Sequence, residues 1–594
     1  MSRRMNRAGP LVLPLLLFPL LWGAAALAAS DLSSHPSPYL RSHADDPVKW
    51  RSPESASVDE ARARNMPFLV SSGYQSCYWC YRFKQDTLMD ADLAEVINGS
   101  FSPVLLDREM HTQDDRVLQA FMRDFVGIGG WPATAVVTPD GVPVMAWTFV
   151  TAPELASALE TFSRAWEENP AAARRLLVPR HPDAGADARS GTGSSDLGEL
   201  LQGYLEQAGR VSDARFGGFG TDSKYPFAPQ LLALLDLHQL NPSDAMAAFL
   251  RHSLDSMIAG DLVDPVEGGV FRYTENRDWT GPHFEQMLYT QALVARLLFR
   301  AAMTLERPGY GDVAEGILDN MLARFAAGGG WFVSSLSATG QGGVNGEYYL
   351  AAQQDLEILL GESWRERVEI RQQAGNRLLV APVGLVAGVT RQALVSLRRR
   401  ETLERDGKLL LSWNGLALSA LSHGASREPD YLQAAGLLAD VIMKATGSPH
   451  PGLLAGNDAK AAPADLDTLV HAAAGLFDWW QVSGDPAAIS RVGQLLELSV
   501  ERFFREDGWT RAPTYLFAGD DRTLSIADGQ LPSPSAEWLR IAGGLKAAGI
   551  PLGPGTGKVF TLMTGHWSPG LMQSAFFHPT LVSALVTGRF LGIH

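Results

Sequence analysis

Cysteine is what this chain has least of: 594 residues carry two, Cys77 and Cys80. With no second cysteine pair, a zinc site would need two further ligands from elsewhere, and the spacing of His35, His43 and His111 does not point to one. Basic charge is also short. The formal net charge is −15, so the positive surface that neutralises phosphates is missing and nucleic-acid binding is disfavoured. Beyond residue 30 no uninterrupted apolar run is long enough to span a bilayer. With 46% apolar residues the composition is that of a folded chain, and its length suits two large domains.

What is present begins with an export pattern. Arg3, Arg4 and Arg7 precede an apolar stretch from Leu11 to Ala29, near whose end Ala26-Leu27-Ala28 offers an A-x-A cleavage site. Residues 1–29 are therefore expected to be a signal peptide, an uncleaved anchor being the alternative and the only route to a membrane. The mature protein is expected to be periplasmic or otherwise extracytoplasmic. There an accessible dithiol tends to be oxidised.

The two cysteines form one motif, Cys77-Tyr78-Trp79-Cys80, between the apolar, strand-like segment 67–74 and the helix-like segment 81–98. Cys77 is thus expected at or just before a helix N-terminus, where unpaired N–H groups and the macrodipole favour thiolate over thiol. Other readings stay open. A structural disulfide closing so small a loop would remove little unfolded-state entropy, and both residues could simply be buried as small hydrophobes. A thioredoxin-like site also needs a cis-proline beside the disulfide. Pro132, in Gly129-Gly130-Trp131-Pro132 ahead of a strand-like run, is the candidate. A trans-proline opening an edge strand is the alternative.

Strand-like runs at 68–72, 104–107, 133–138 and 142–147 alternate with helical ones at 57–65, 114–125 and 152–168, which predicts an α/β sandwich over 30–168. Residues 169–196, rich in Ala, Gly, Ser, Pro and charge, read as a linker. Over 197–594 the strand signal fades and helix-length stretches dominate, including 229–240, 244–258, 284–305 and 468–482. Glycine-aromatic or glycine-apolar runs punctuate them, at Gly217-Gly218-Phe219, Gly268-Gly269-Val270-Phe271, Gly328 to Phe332, Gly452-Leu453-Leu454 and Gly508-Trp509. A ring of helical hairpins accounts for this recurrence, with a solenoid as the alternative.

These residues carry a resemblance. SPYLRSHADDPVKW (37–50), the cysteine run, Asp107-Arg108-Glu109 and GGWPATAVVTPDGVP (129–143) resemble the thioredoxin-like domain of the family that includes spermatogenesis-associated protein 20. The match continues through KYP (224–226), GGVFRYT (268–274), PHFEQMLY (282–289) and DGKLLLSWNGLALSAL (406–421). The second part of that family is similar to six-hairpin glycosidases and sugar epimerases, so the resemblance implies an α/α toroid. It implies no settled reaction. Two departures stand out: Tyr78 replaces the histidine that usually follows the first cysteine, and Leu336-Ser337-Ala338-Thr339 replaces an acidic segment.

Thiol–disulfide exchange is the function expected from these features. Cys77 would attack a protein disulfide, Cys80 would resolve the mixed disulfide, and Pro132 would position the substrate strand. No cofactor and no metal are expected. The alternatives are a carbohydrate-active or carbohydrate-binding toroid, with a sugar in its funnel, and a non-catalytic scaffold. For the funnel, Trp131, Trp279, His283, Glu285, Tyr289, Trp413 and Asn414 are the candidates. His283 and Glu285 are expected at a helix start, pointing in different directions. A glycosidase would pair Glu285 with Asp278 or Asp465. An epimerase would pair His283 with His471.

Overall fold

Four strands build the N-terminal sheet, β1 (Phe68–Gly73), β2 (Ser102–Asp107), β3 (Ala133–Val137) and β4 (Pro143–Trp147), in the order β2-β1-β3-β4. The computed structural model describes residues 31–176 and 197–590 apart from 341–342, 449, 455–462, 507, 519–521 and 566–568. The expected signal peptide and most of the expected linker lie outside the described residues. β1 runs parallel to β2 and antiparallel to β3, and β3 is antiparallel to β4. The side-chain period of two divides the strands between two layers. Leu69, Leu105 and Val136 face one side, and Val70, Val104, Leu106 and Ala135 face the other. The first layer is completed by helix Ala152–Glu168, which buries Leu155, Leu159, Phe162 and Trp166 on one stripe and starts at a Thr151/Glu154 capping box. This is the thioredoxin-like α/β sandwich.

Two local differences from expectation have physical causes. The single helix expected over 81–98 is broken: helix Tyr78–Phe83 widens at Lys84–Leu88, and a new helix, Ala91–Ser100, starts where the Asp90 side chain accepts the Leu93 N–H. The expected linker begins with a further helix, Pro170–Leu176, that buries Ala173.

The second part closes into a ring. Its inner helices are Ala228–Leu240, Leu288–Thr304, Leu411–Gly424, Leu466–Ser483, Pro534–Ala547 and Pro579–Phe590. Each packs on the next, and the sixth packs back on the first. An outer helix lies against each. The inner helices lack a polar face because neighbours surround them. Every residue from Leu288 to Phe299, and from Leu466 to Asp478, is buried. The third and fourth touch through Gly415 and Gly475, where a Cβ would strike backbone of the facing helix. The fold is therefore an α/α toroid of six hairpins, not a solenoid. No helix among the described residues is long and apolar enough to cross a membrane.

Connections from the first five inner helices to the outer helix that follows each are two to six residues long. The connections from outer to inner helices are longer and carry the glycine-aromatic runs, so elaborated loops gather at the N-terminal ends of the inner helices. One connection holds a three-stranded antiparallel sheet (Ala351–Ala352, Arg377–Pro382, Val368–Ala374) with its own apolar cluster around Trp364. The fading strand signal did not foretell it. A register shift between Ile370 and Gln372 interrupts the alternation by which such a strand is read.

The thioredoxin-like domain sits on this elaborated end. Tyr74 bonds to Glu285, Lys408 to Asp107, Thr112 to Asp465 and Arg108 to Gln530. Those toroid residues stand just before the second, third, fourth and fifth inner helices. One domain thus closes the funnel mouth of the other.

Candidate active site

Cys77 is the N-cap residue of helix Tyr78–Phe83, its Sγ accepts the Cys80 N–H at 3.1 Å, and the two cysteines form a disulfide. Gly73, at the end of β1, backs onto it. A Cβ there would run into the Tyr39 ring and crowd Cys80 Sγ. The peptide Trp131–Pro132 is cis. Ser72 pairs with Ala133, so the proline loop lies opposite the loop that leads to Cys77, and the Tyr74 and Trp131 rings meet edge to face at 6.0 Å. Both cysteines are buried, as one of the open readings allowed: Cys77 and Cys80 are 3% and 4% exposed. Their neighbours Trp79 and Tyr81 remain exposed, and Trp79 meets the exposed Phe149 at 5.9 Å.

The toroid reaches this loop with Glu285. One carboxylate oxygen accepts the Tyr74 hydroxyl at 2.5 Å and the Arg272 guanidinium at 2.9 Å, and the other accepts the Tyr78 N–H at 3.2 Å. Two guanidinium groups flank the same aromatic pair: Arg108 lies 4.4 and 4.3 Å from the Tyr74 and Trp131 ring centres, and Arg272 lies 4.9 and 5.2 Å from them. His283 stacks on Tyr273 at 4.7 Å, and Tyr273 stacks on Tyr225 at the same distance. Neither nitrogen of the His283 ring makes a hydrogen bond, although Nδ1 is 3.4 Å from Glu285. Burial lowers the His283 pKa, with Glu285 pulling the other way, and raises that of Tyr273 to about 12. Gln530 accepts from Arg108 at 2.8 Å and from Tyr289 at 2.6 Å, and Tyr289 meets Trp413 edge to face at 4.8 Å.

A second buried contact joins the domains nearby. Lys408 Nζ lies 2.6 Å from Asp107, 3.0 Å from Glu109 and 2.7 Å from Asp406, all with fully buried side chains. Burial pushes Glu109 up to about 7 against the pull of Lys408, and raises Asp406 as well. Burial works against ionisation of Asp107 too, but Lys408, the Ser37 hydroxyl and the Glu109 N–H together hold it below the usual carboxylate range. The lysine stays charged, since its three acid neighbours outweigh desolvation.

Comparison with known proteins bears on both halves. Residues 29–176 match the family model described as "Thioredox_DsbH: Protein of unknown function, DUF255". Human spermatogenesis-associated protein 20 is 28% identical over 349 residues, covering 55% of this chain and 44% of its own length; the mouse protein is 27% identical over 354 residues. Spermatogenesis-associated protein 20 names the family that the motifs resemble. The chain spans less than half the length of these relatives. Among solved structures, cellobiose 2-epimerase from Bacillus thermoamylovorans B4167 aligns over 67% of this chain and 98% of its own, at 10% identity and a TM-score of 0.43. The GH76A α-1,6-mannanase from Salegentibacter sp. HEL1_6 aligns over 66% and 100%, at 11% identity and a TM-score of 0.38.

The funnel candidates divide. Trp131, His283, Glu285, Tyr289 and Trp413 fall at or next to the interface with the cysteine loop, while Trp279 and Asn414 serve packing. The Trp279 indole donates to the Phe216 carbonyl and packs on Gly218 and Gly260. Asn414 bonds both ways to the Phe332 backbone and also to Leu410. The expected helix start at His283 and Glu285 is corrected. The helix begins at Leu288, short strands cover Pro282–His283 and Gln286–Met287, and the His283 and Glu285 side chains approach each other, with Nδ1 3.4 Å from the carboxylate. Asp278 accepts Thr280 in an exposed turn, Asp465 caps the fourth inner helix, and His471 donates to the Pro532 carbonyl. Asp278, Asp465 and His471 are thus each engaged apart from the Glu285 or His283 they were paired with.

Sequence reasoning did not single out Tyr74, Arg108, Arg272, Lys408 or Gln530. All but Tyr74 and Gln530 lie inside quoted motifs, so a charged residue within a motif was the available signal. Among the described residues one cluster has metal-ligand composition, His35, Glu54 and His111, with ligand atoms within 4.8 Å of one another. Its chemistry does not suit a cation. Nδ1 of each histidine accepts a backbone N–H, so the neutral rings carry their protons on Nε2, and that of His111 points at Glu54.

Proposed function

We propose that the protein is an exported thiol–disulfide oxidoreductase acting on a protein partner through Cys77 and Cys80. The observation that carries this reading is the disulfide placed at a helix N-cap, with Cys77 Sγ accepting the Cys80 N–H. That N–H and the helix terminus favour negative charge on Cys77 when the pair is reduced. Cys77 thiolate attacks one sulfur of a partner disulfide, the partner's other sulfur leaves as a thiolate, and a mixed disulfide forms. Cys80, losing its proton, then attacks Cys77 Sγ and releases the second partner thiolate. The pair ends oxidised and the partner gains two electrons. Exposed Trp79 and Phe149 offer the partner an apolar edge beside the loop, and Pro132 aligns its strand. A Cys80→Ser variant should trap the partner as a mixed disulfide that reductant releases. No trapped adduct, together with full cellular function of Cys77→Ser, would sink the reading.

A second reading, sugar binding at the funnel mouth, draws on His283, whose buried ring nitrogens have no hydrogen-bond partner, and on the nearby Tyr289 and Trp413 rings. It predicts a thermal shift with a sugar that His283→Ala abolishes and Cys77→Ser does not.

A further inference from the structure

The helix that begins at Cys77 should present its first free N–H groups to a sulfur or to solvent. Here the N–H of Tyr78, one peptide bond from Cys77, is taken by the Glu285 carboxylate from the other domain. Glu285 is fully buried, and its three partners, the Tyr74 hydroxyl, the Arg272 guanidinium and the Tyr78 amide, are all donors. A carboxylate in that arrangement acts only as an acceptor. It brings negative charge to the helix terminus that would otherwise favour a thiolate on Cys77.

Like charges inside protein disfavour one another, so Glu285, which accepts the amide N–H next to Cys77, opposes formation of the Cys77 thiolate. A dithiol with a less acidic nucleophilic cysteine is a poorer product of reduction, and its disulfide is correspondingly harder to reduce. Arg272 works the other way. It neutralises much of the Glu285 charge and adds its own positive charge beside Tyr74 and Trp131.

We propose that Glu285 and Arg272 are positioning residues by which the toroid sets the redox balance of the Cys77–Cys80 pair, Glu285 holding it toward the disulfide and Arg272 toward the dithiol. This rests on the redox reading above and adds to it: the helical ring is the electrostatic regulator of the cysteines. Neither residue forms or breaks a bond in the exchange.

Two measurements on the full chain test the pair. Equilibration with glutathione mixtures should show Glu285→Gln shifted about tenfold toward the dithiol, which is about 30 mV for this two-electron couple. Arg272→Gln should shift several-fold toward the disulfide. The opposite signs are the discriminating feature, since mere loosening of the interface would move both variants the same way. Titration of thiolate absorbance in a Cys80→Ser background reads Cys77 directly: its pKa should fall in Glu285→Gln and rise in Arg272→Gln. Shifts of the same sign, or a Cys77 titration unchanged in both variants, would overturn the proposal. A wild-type pair that never exchanges with glutathione would sink the redox reading instead, while the absorbance titration would still decide the role of Glu285.

Discussion

Two of the buried polar contacts between the thioredoxin-like domain and the toroid, at Lys408 and at Glu285, use charge in opposite ways. At Lys408 one ammonium from the ring meets three carboxylates, two of them from the other domain. At Glu285 one carboxylate from the ring collects three donors, two of them from the cysteine loop. The first contact has a surplus of acid: neither Glu109 oxygen is within hydrogen-bonding geometry of any donor. The second has a donor for each oxygen and lies one residue from a sulfur. An overloaded contact of the first kind governs whether the domains stay together. A balanced contact of the second kind, placed where charge develops, can govern the chemistry.

The most severe way to break the comparison is Lys408→Met. It leaves three buried carboxylates without their cation and should cost about 3–5 kcal/mol of stability, measured by denaturant unfolding. The glutathione equilibrium of whatever remains folded should stay within about twofold, since no shared hydrogen bond links this lysine to the Glu285 contact. A large redox shift with little loss of stability would erase the distinction between the two contacts.

Tyr74→Phe probes the balanced side more gently. It removes one of three donors from Glu285 and should cost about 1.5–3 kcal/mol, the range for a hydrogen bond to a charged group. Thr112→Val, which removes one donor from Asp465 but leaves Thr468 in place, should cost only about 1 kcal/mol. If Thr112→Val proved the more damaging of the two, the ranking of the interdomain contacts would have to be redrawn.

What could be read from the sequence follows the range of the interactions involved. The four strands, the helix start at Cys77 and the glycine-aromatic punctuation depend on neighbours a few residues away, and their signals are local. The interface depends on partners as far apart as Tyr74 and Glu285 or Asp107 and Lys408, which leave no period in the chain. Inner helices such as Leu466–Ser483 are buried on all sides over most of their length, here from Leu466 to Asp478, so no apolar stripe says which neighbour each one meets. Glu285 itself was legible as a functional candidate but misplaced: with a helix assumed, it pointed away from His283, whereas the two side chains lie within 3.4 Å.

A pH dependence is also expected at the overloaded contact. Glu109 has its pKa raised from 4.5 to about 7 in the folded protein, chiefly by burial. Between those values the folded chain keeps a proton that the unfolded chain has lost, so this group's contribution to stability falls as pH rises. Asp406 is raised as well and contributes in the same direction, whereas Asp107 is lowered and contributes nothing new in this window. The measurement is therefore a difference. Unfolding free energies of wild type and Glu109→Gln, taken from pH 4.5 to 8, should converge or cross in the variant's favour up to about pH 7 and run parallel above it. The slope of the difference should be below the roughly 1.4 kcal/mol per pH unit of a whole proton, because three carboxylates share one lysine. Parallel curves across the whole range would mean that Glu109 is ionised throughout, and that Lys408 balances its surplus of acid better than the buried geometry implies.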